Sequence, residues 1–187
     1  YGAFIKGGSI KGTIENNLVI CNSTQQDFHG SRIGLSLGGG GMAQQHRREE
    51  NSAETVGAIV RSNIVIRCND AGIYINKGRQ STVSNNTLYG TQGIDIRYPQ
   101  SDTFVANNIL NGHINQRDNG KAELEANMIS SRRFWFGKEK IDSWFLSPSR
   151  GNFSIKTEQI SQQLHQGETL EVSPHVQLVS HTDTAVQ

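Results

Sequence analysis

Four basic residues, an acid and an aromatic hydroxyl recur in short segments of similar design. GIYIN carries Tyr74 and Asn76 and is followed by Lys77 and Arg79; GIDIR carries Asp95 and Arg97; GHINQR carries His113, Asn115 and Arg117. A guanidinium grips carboxylate or sulfate through two parallel hydrogen bonds, amides match hydroxyls, and an aromatic ring offers an apolar face to a sugar. Together they suit an acidic glycan. β-Elimination on a uronate needs its carboxylate neutralised, a base for the proton alpha to it, and an acid for the leaving oxygen. Arg97 and Arg117 have the charge to neutralise. Lys77 would be the base if desolvation and neighbouring cations lower its pKa, and Tyr74 or His113 would donate the proton. Asp95 completes the expected catalytic set, while Asn76, Arg79, Asn115 and Arg117 would bind substrate.

A plainer reading competes with this one. Asp95 and Arg97 lie two apart on one strand face, where a surface ion pair is worth about 0 to 1 kcal/mol. Hydrolysis would call for two carboxylates about 5 to 9.5 Å apart, and beside this segment only Asp95 is an obvious candidate. Asp70 and Asp102 fall in turns, and Glu49 and Glu50 would have to be brought in by a loop. Calcium needs clustered carboxylates, which the segment does not supply. No cofactor is expected, and calcium is left unsupported.

These side chains need a scaffold that brings distant segments side by side. The 187 residues suit one domain with a real core. With 18 Lys and Arg against 17 Asp and Glu the net charge is +1, so no global field favours nucleic acid or anionic lipid. No apolar run approaches the length of a bilayer span. Only 3 Pro occur among many Asn, a composition of tight turns that excludes an all-helical fold. Tyr1 stands where a start Met would be, so the chain reads as a fragment of a longer protein.

A repeat organises the chain. Asn precedes a short apolar run at Asn17, Asn63, Asn86, Asn108 and Asn127. The first spacing is about twice the others, which reads as one coil carrying insertions at 23–32 and 38–54. Between these asparagines Gly precedes alternating apolar residues, at Gly34, Gly72, Gly93 and, more weakly, Gly112. Periods of about 20 to 25 residues with β-branched runs indicate a solenoid. A leucine-rich framework is absent. In a parallel β-solenoid, asparagines can stack into a ladder, since the side-chain amide both donates and accepts and Asn tolerates the left-handed backbone.

The stretch from GIYIN to NNIL, residues 72–110, resembles tandem parallel β-helix repeats of the pectate-lyase-like superfamily, with its G-I-x-[IVL] and N-N-x-[IVL] signatures. The resemblance covers about residues 8–130. It implies an all-β, single-stranded right-handed parallel β-helix of about five coils, with an irregular C-terminal cap and tail over 131–187. It also implies an extracellular or periplasmic protein acting on an acidic polysaccharide as a lyase or epimerase, or else a noncatalytic glycan-binding or structural surface protein. No nucleic-acid partner or membrane span is expected, and oligomeric state is left open. Substrates in that superfamily lie along the G-I-x-I strand. Alternation along the strands then predicts two outward rows: Ser36, Tyr74, Asp95, Asn115 and Gly38, Asn76, Arg97, Arg117. Gln116 conflicts with this register because it faces inward.

The remaining features are read as structural. The Gly38–Gly41 run lacks the Gly-Lys-[Ser/Thr] ending of a phosphate loop, so it is a flexible entry to the second insertion. HRREEN at 46–51 is a solvated loop or short helical turn, with His46 reaching the cleft that the insertions would wall as the alternative. Cys21 and Cys68 follow their coil asparagines by four and five residues, an unequal register that favours buried thiols over a disulfide. Trp135 and Trp144 are expected in the cap, with a sugar platform as the alternative. The segment WFLSPSRGNFSIK resembles the closing segment of such bacterial helices, with Asn152 where an Asp is usual.

Overall fold

The computed structural model describes residues 1–21, 30–39, 45, 53–130 and 140–156. Several expectations lie outside these residues: the bulk of both insertions, with His46, Glu49 and Glu50, then Trp135, and the tail beyond 156.

Each coil folds because short β-branched and aliphatic runs alternate with residues that can turn sharply. The first coil contributes β1 (Ala3–Ile5), β2 (Ser9–Ile10), β3 (Thr13–Glu15) and β4 (Leu18–Ile20). The second contributes β5 (Leu35–Leu37), β6 (Thr55–Val56), β7 (Ile59–Arg61) and β8 (Ile64–Ile66). The third has β9 (Ile73–Asn76), β10 (Gly78–Arg79), β11 (Ser81–Ser84) and β12 (Thr87–Tyr89). The fourth has β13 (Gly93–Arg97), β14 (Asp102–Ala106) and β15 (Ile109–Asn111). The fifth has β16 (His113–Arg117), β17 (Lys121–Glu125) and β18 (Met128–Ser130).

Corresponding strands pair in parallel. Sheet A is β1-β5-β9-β13-β16, sheet B is β2-β6-β10, sheet C is β3-β7-β11-β14-β17 and sheet D is β4-β8-β12-β15-β18. Parallel crossovers of this kind are right-handed, and the architecture is the expected right-handed parallel β-helix of five coils. Its interior is a file of aliphatic side chains, among them Leu35, Leu37, Ile73, Ile75, Ile94 and Ile96 from sheet A and Val60, Val83 and Val105 from sheet C, all fully buried. Each such side chain contributes about 1.5 to 3 kcal/mol of burial.

The asparagine ladder sits at the corner between sheets C and D. The Asn17, Asn63, Asn86 and Asn108 backbone N–H groups donate to the Oδ1 of the asparagine one coil on, at 3.0, 3.0, 3.0 and 3.1 Å. Because Asn17 bonds directly to Asn63 across 46 residues, the long interval is one enlarged coil, as the spacing predicts. The backbone reason given for asparagine needs correction. The left-handed residue is the one before each ladder position: Asn16, Ser62, Asn85, Asn107 and Ala126, with φ of 46–58°. The ladder asparagines hold the corner through their amides, each of Asn63, Asn86 and Asn108 also donating to two backbone carbonyls.

The expectation of free thiols is overturned. Cys21 and Cys68 form a disulfide. Cys21 follows β4 and its N–H donates to Ile66 O, so the coil-to-coil stacking brings the two residues to a Cα separation of 4.8 Å, well within bridging range despite the offset of one residue. The bond closes a loop spanning a separation of 47 residues, which contains the enlarged coil.

Gln116 also resolves. It pairs with Ile96 in register, but it is exposed and its Oε1 accepts the Ala122 N–H at 2.7 Å, so its amide is not placed in an apolar interior.

The described residues from Asp142 to Lys156 belong to a compact unit of their own. In it, β19 (Phe145–Ser147) and β20 (Asn152–Ile155) make an antiparallel hairpin closed by Pro148–Arg150 and Gly151, whose φ of 79° requires a residue without Cβ strain. Phe145 and Phe153 meet edge to face at 5.2 Å. Trp144 is 2% exposed, so it does not present a sugar platform.

Candidate functional site

The two rows expected on sheet A are present. Register pairs Ser36 with Tyr74, Tyr74 with Asp95 and Asp95 with Asn115, and likewise Asn76 with Arg97 and Arg97 with Arg117. Pleating sends these side chains outward because the intervening isoleucines face the core. The rows are not uniformly open. Ser36 is fully buried and Tyr74, Asn76 and Asp95 nearly so, whereas Asn115, Arg117 and His113 are exposed.

A hydrogen-bonded group centres on the Tyr74 hydroxyl. Asn76 Nδ2 donates to Tyr74 Oη at 2.9 Å and Arg97 Nη1 donates to it at 3.3 Å. With its oxygen accepting twice, the phenol still has its own hydrogen to donate. Asn76 Oδ1 is buried and has no hydrogen-bond partner.

The ion pairs differ from the plain reading of Asp95 with Arg97. Asp95 is paired to Arg117, one coil on, through Nε at 2.8 Å and Nη2 at 2.6 Å. Arg97 Nε donates to Asp118 Oδ2 at 2.5 Å. The hydrogen bond to Asp118 is the main cause raising the Arg97 pKa above the usual guanidinium range, and that to Asp95 does the same for Arg117. Both stay charged at any working pH.

A third row follows the strand ends, in which Lys77 was expected and Tyr98 and Asp118 were missed from sequence. Lys77, Tyr98 and Asp118 all have positive φ, 60, 73 and 52°, and turn the chain out of sheet A. Lys77 Nζ lies 5.5 Å and Arg97 Cζ 4.7 Å from the Tyr98 ring centroid, so two cations share one aromatic ring. The available signal was the position itself: Tyr98 and Asp118 follow Arg97 and Arg117 as Lys77 follows Asn76. Arg79 follows two residues on from Lys77. It lies in β10 and lines a different cavity with Gln100 and Asp102. His113 opens β16, aligned with Gly93.

The family described as periplasmic copper-binding protein (NosD) matches residues 43–121, less than half of the chain. The chain resembles NosD. No curated protein and no solved structure gives a significant match. The NosD match falls on the coils that carry the Tyr74, Asp95 and Arg97 rows. It agrees with the disulfide, a bond that persists in oxidising compartments, in making this an extracytoplasmic protein, periplasmic or extracellular. Among the described residues no helix is long and apolar enough to cross a membrane.

The NosD description names copper. Among the described residues no three His, Cys, Asp or Glu side chains converge, and the thiolates that soft copper favours are consumed in the disulfide. His29, His46, His165, His175 and His181 lie outside the described residues. The described residues do not fit a copper site, and no step below passes through one.

Proposed function

We propose that this extracytoplasmic β-helix takes an acidic, uronate-containing polysaccharide along the outer face of sheet A and acts on it by β-elimination or epimerisation. The observation that carries the reading is the Tyr74 hydroxyl, held by Asn76 and Arg97 beside the cation pair on Tyr98. Arg97 and Lys77 offer positive charge to a uronate carboxylate, with Arg117 and Asn115 extending the contact along the same face. Lys77 is the candidate base. Tyr74, whose hydrogen is directed by two incoming donors, is the candidate acid, with His113 second. Asn76 Oδ1 would accept a sugar hydroxyl.

A second reading, noncatalytic glycan binding, draws on the ion pairs. Arg97 and Arg117 already face Asp118 and Asp95, which reduces the charge left for a developing enolate. A screen of uronate polymers for unsaturated, ultraviolet-absorbing ends and for epimerised residues separates the two. Turnover that Arg97→Ala abolishes while the protein stays folded supports the enzyme; binding without product supports the second reading; neither binding nor turnover on any polymer overturns both.

A further inference from the structure

Sheet C carries a second surface, which meets the sheet A group at the turn between β13 and β14. Two adjoining cavities, of about 310 and 400 Å³, share Asp102 and Lys121 in their linings. They run from the outer face of sheet C to the turn between β13 and β14.

Register explains the lining. Asp102 pairs with Lys121, and Phe104 pairs with Thr82 on one side and Glu123 on the other. Val83 and Val105 fill the core, so alternation turns Phe104 and its row outward. The ring is half-buried, which fixes it while leaving a face available. Asp102 is held in place by the Gln80 N–H, which donates to its Oδ1. Around the turn, Arg79 and Gln100 complete the second cavity, and Gln100 Oε1 is buried with no hydrogen-bond partner.

Charge selects the ligand class. Among the described lining residues two cations, Arg79 and Lys121, stand with two carboxylates, Asp102 and Glu123, and their side chains carry no net charge together. An aromatic face, carboxylates and an unpartnered amide oxygen together match a ligand that has apolar C–H faces and many hydroxyl donors but no net charge.

We infer that the sheet C groove is a second carbohydrate site, one that binds a neutral oligosaccharide with a sugar ring on Phe104 and a hydroxyl donating to Gln100 Oε1. It does not depend on the sheet A reading. A protein with both sites would hold a neutral glycan on one side and meet an acidic one on another.

The test is titration calorimetry of the folded protein with neutral hexasaccharides of glucose, mannose, xylose and N-acetylglucosamine, alongside a uronate hexamer. Wild type is expected to bind at least one neutral hexamer, with Phe104→Ala weakening it about tenfold or more and Gln100→Ala several-fold. Lys11→Ala, at an exposed turn of the first coil, leaves that binding unchanged. Phe104 lies outside the core, and circular dichroism with an unchanged thermal midpoint checks that its variant is folded; Gln100→Ala provides an independent probe on the turn. No neutral hexamer binding at about 1 mM, binding indifferent to both substitutions, or binding of the uronate hexamer alone would overturn the inference.

Discussion

Arg117 grips Asp95 from the neighbouring coil, with Nε 2.8 Å and Nη2 2.6 Å from different carboxylate oxygens. The carboxylate side chain is 11% exposed and the guanidinium 51%, so the acid depends on the pair far more than the base does. Removing Arg117 leaves a mostly buried carboxylate without its main partner. Arg117→Ala is expected to cost about 1 to 2 kcal/mol, less than a fully buried pair because water reaches the guanidinium side. Urea unfolding should show a lower midpoint with an unchanged slope.

The disulfide closes the longest interval in the solenoid. In the chain-entropy treatment, a loop of this size gives about 4 kcal/mol through restriction of the unfolded chain. The double variant Cys21→Ser/Cys68→Ser should lose stability on that scale, and wild type should show no reactive thiol under denaturing, nonreducing conditions. Thiol titration and denaturant unfolding check the two halves of this prediction separately.

Asn86 is the middle of the ladder. Its Oδ1 accepts from Asn63 N and Nδ2 at 3.0 Å, and its Nδ2 reaches Val60 O, Ser84 O and Asn108 Oδ1. Asn86→Ala strands several buried groups at once and should cost about 3 kcal/mol or more. Asn17→Ala, on the first coil with an exposed side chain contact to Glu15 O, should cost clearly less. Comparing the two unfolding midpoints tests whether the ladder is a cumulative structural device.

Stability should be insensitive to the guanidinium pairs across neutral pH, because the pKa values of Arg97 and Arg117 are raised by their carboxylate partners. A raised folded-state pKa gives stability that is complete below the unfolded value and lost as pH climbs through the folded one. For arginine that window lies beyond any practical pH. Tyr1 is different: partial desolvation first, on a residue still 55% exposed, then the nearby Tyr74 and Asp70, raise its phenol above the ordinary value of 10.0, a small effect in a solvent-screened position. Its contribution should be intact below about pH 10 and fade above it. Tyr1→Phe should flatten the alkaline limb of a stability-against-pH curve.

The outward rows were legible because a strand has a period of two: once Ile73, Ile75, Ile94 and Ile96 are assigned inward, Tyr74, Asn76, Asp95 and Arg97 have one place to go. The coil count was legible for a similar reason, each asparagine marking one corner. What pairs with what was not. Alternation places Asp95 beside Arg97 along the strand, but a guanidinium is long enough to cross to the next coil, and Arg117 captures the carboxylate. The cysteines escaped because offsets of four and five residues look mismatched in sequence, while the chain leaves sheet D at that point and is free of strand register. Arg79 lies two residues from Lys77, but positive φ at Lys77 and again at Gln80 bends the chain, so those two residues of separation span a corner.

The most direct test follows the Tyr74 ring itself. With ring-labelled tyrosine and Tyr74→Phe to assign the signal, a uronate hexamer titrated into the folded protein should shift the Tyr74 resonance saturably, and Arg97→Ala should remove the shift. A hexamer that binds while leaving Tyr74 unmoved, or a panel of acidic oligosaccharides none of which binds, would contradict the account.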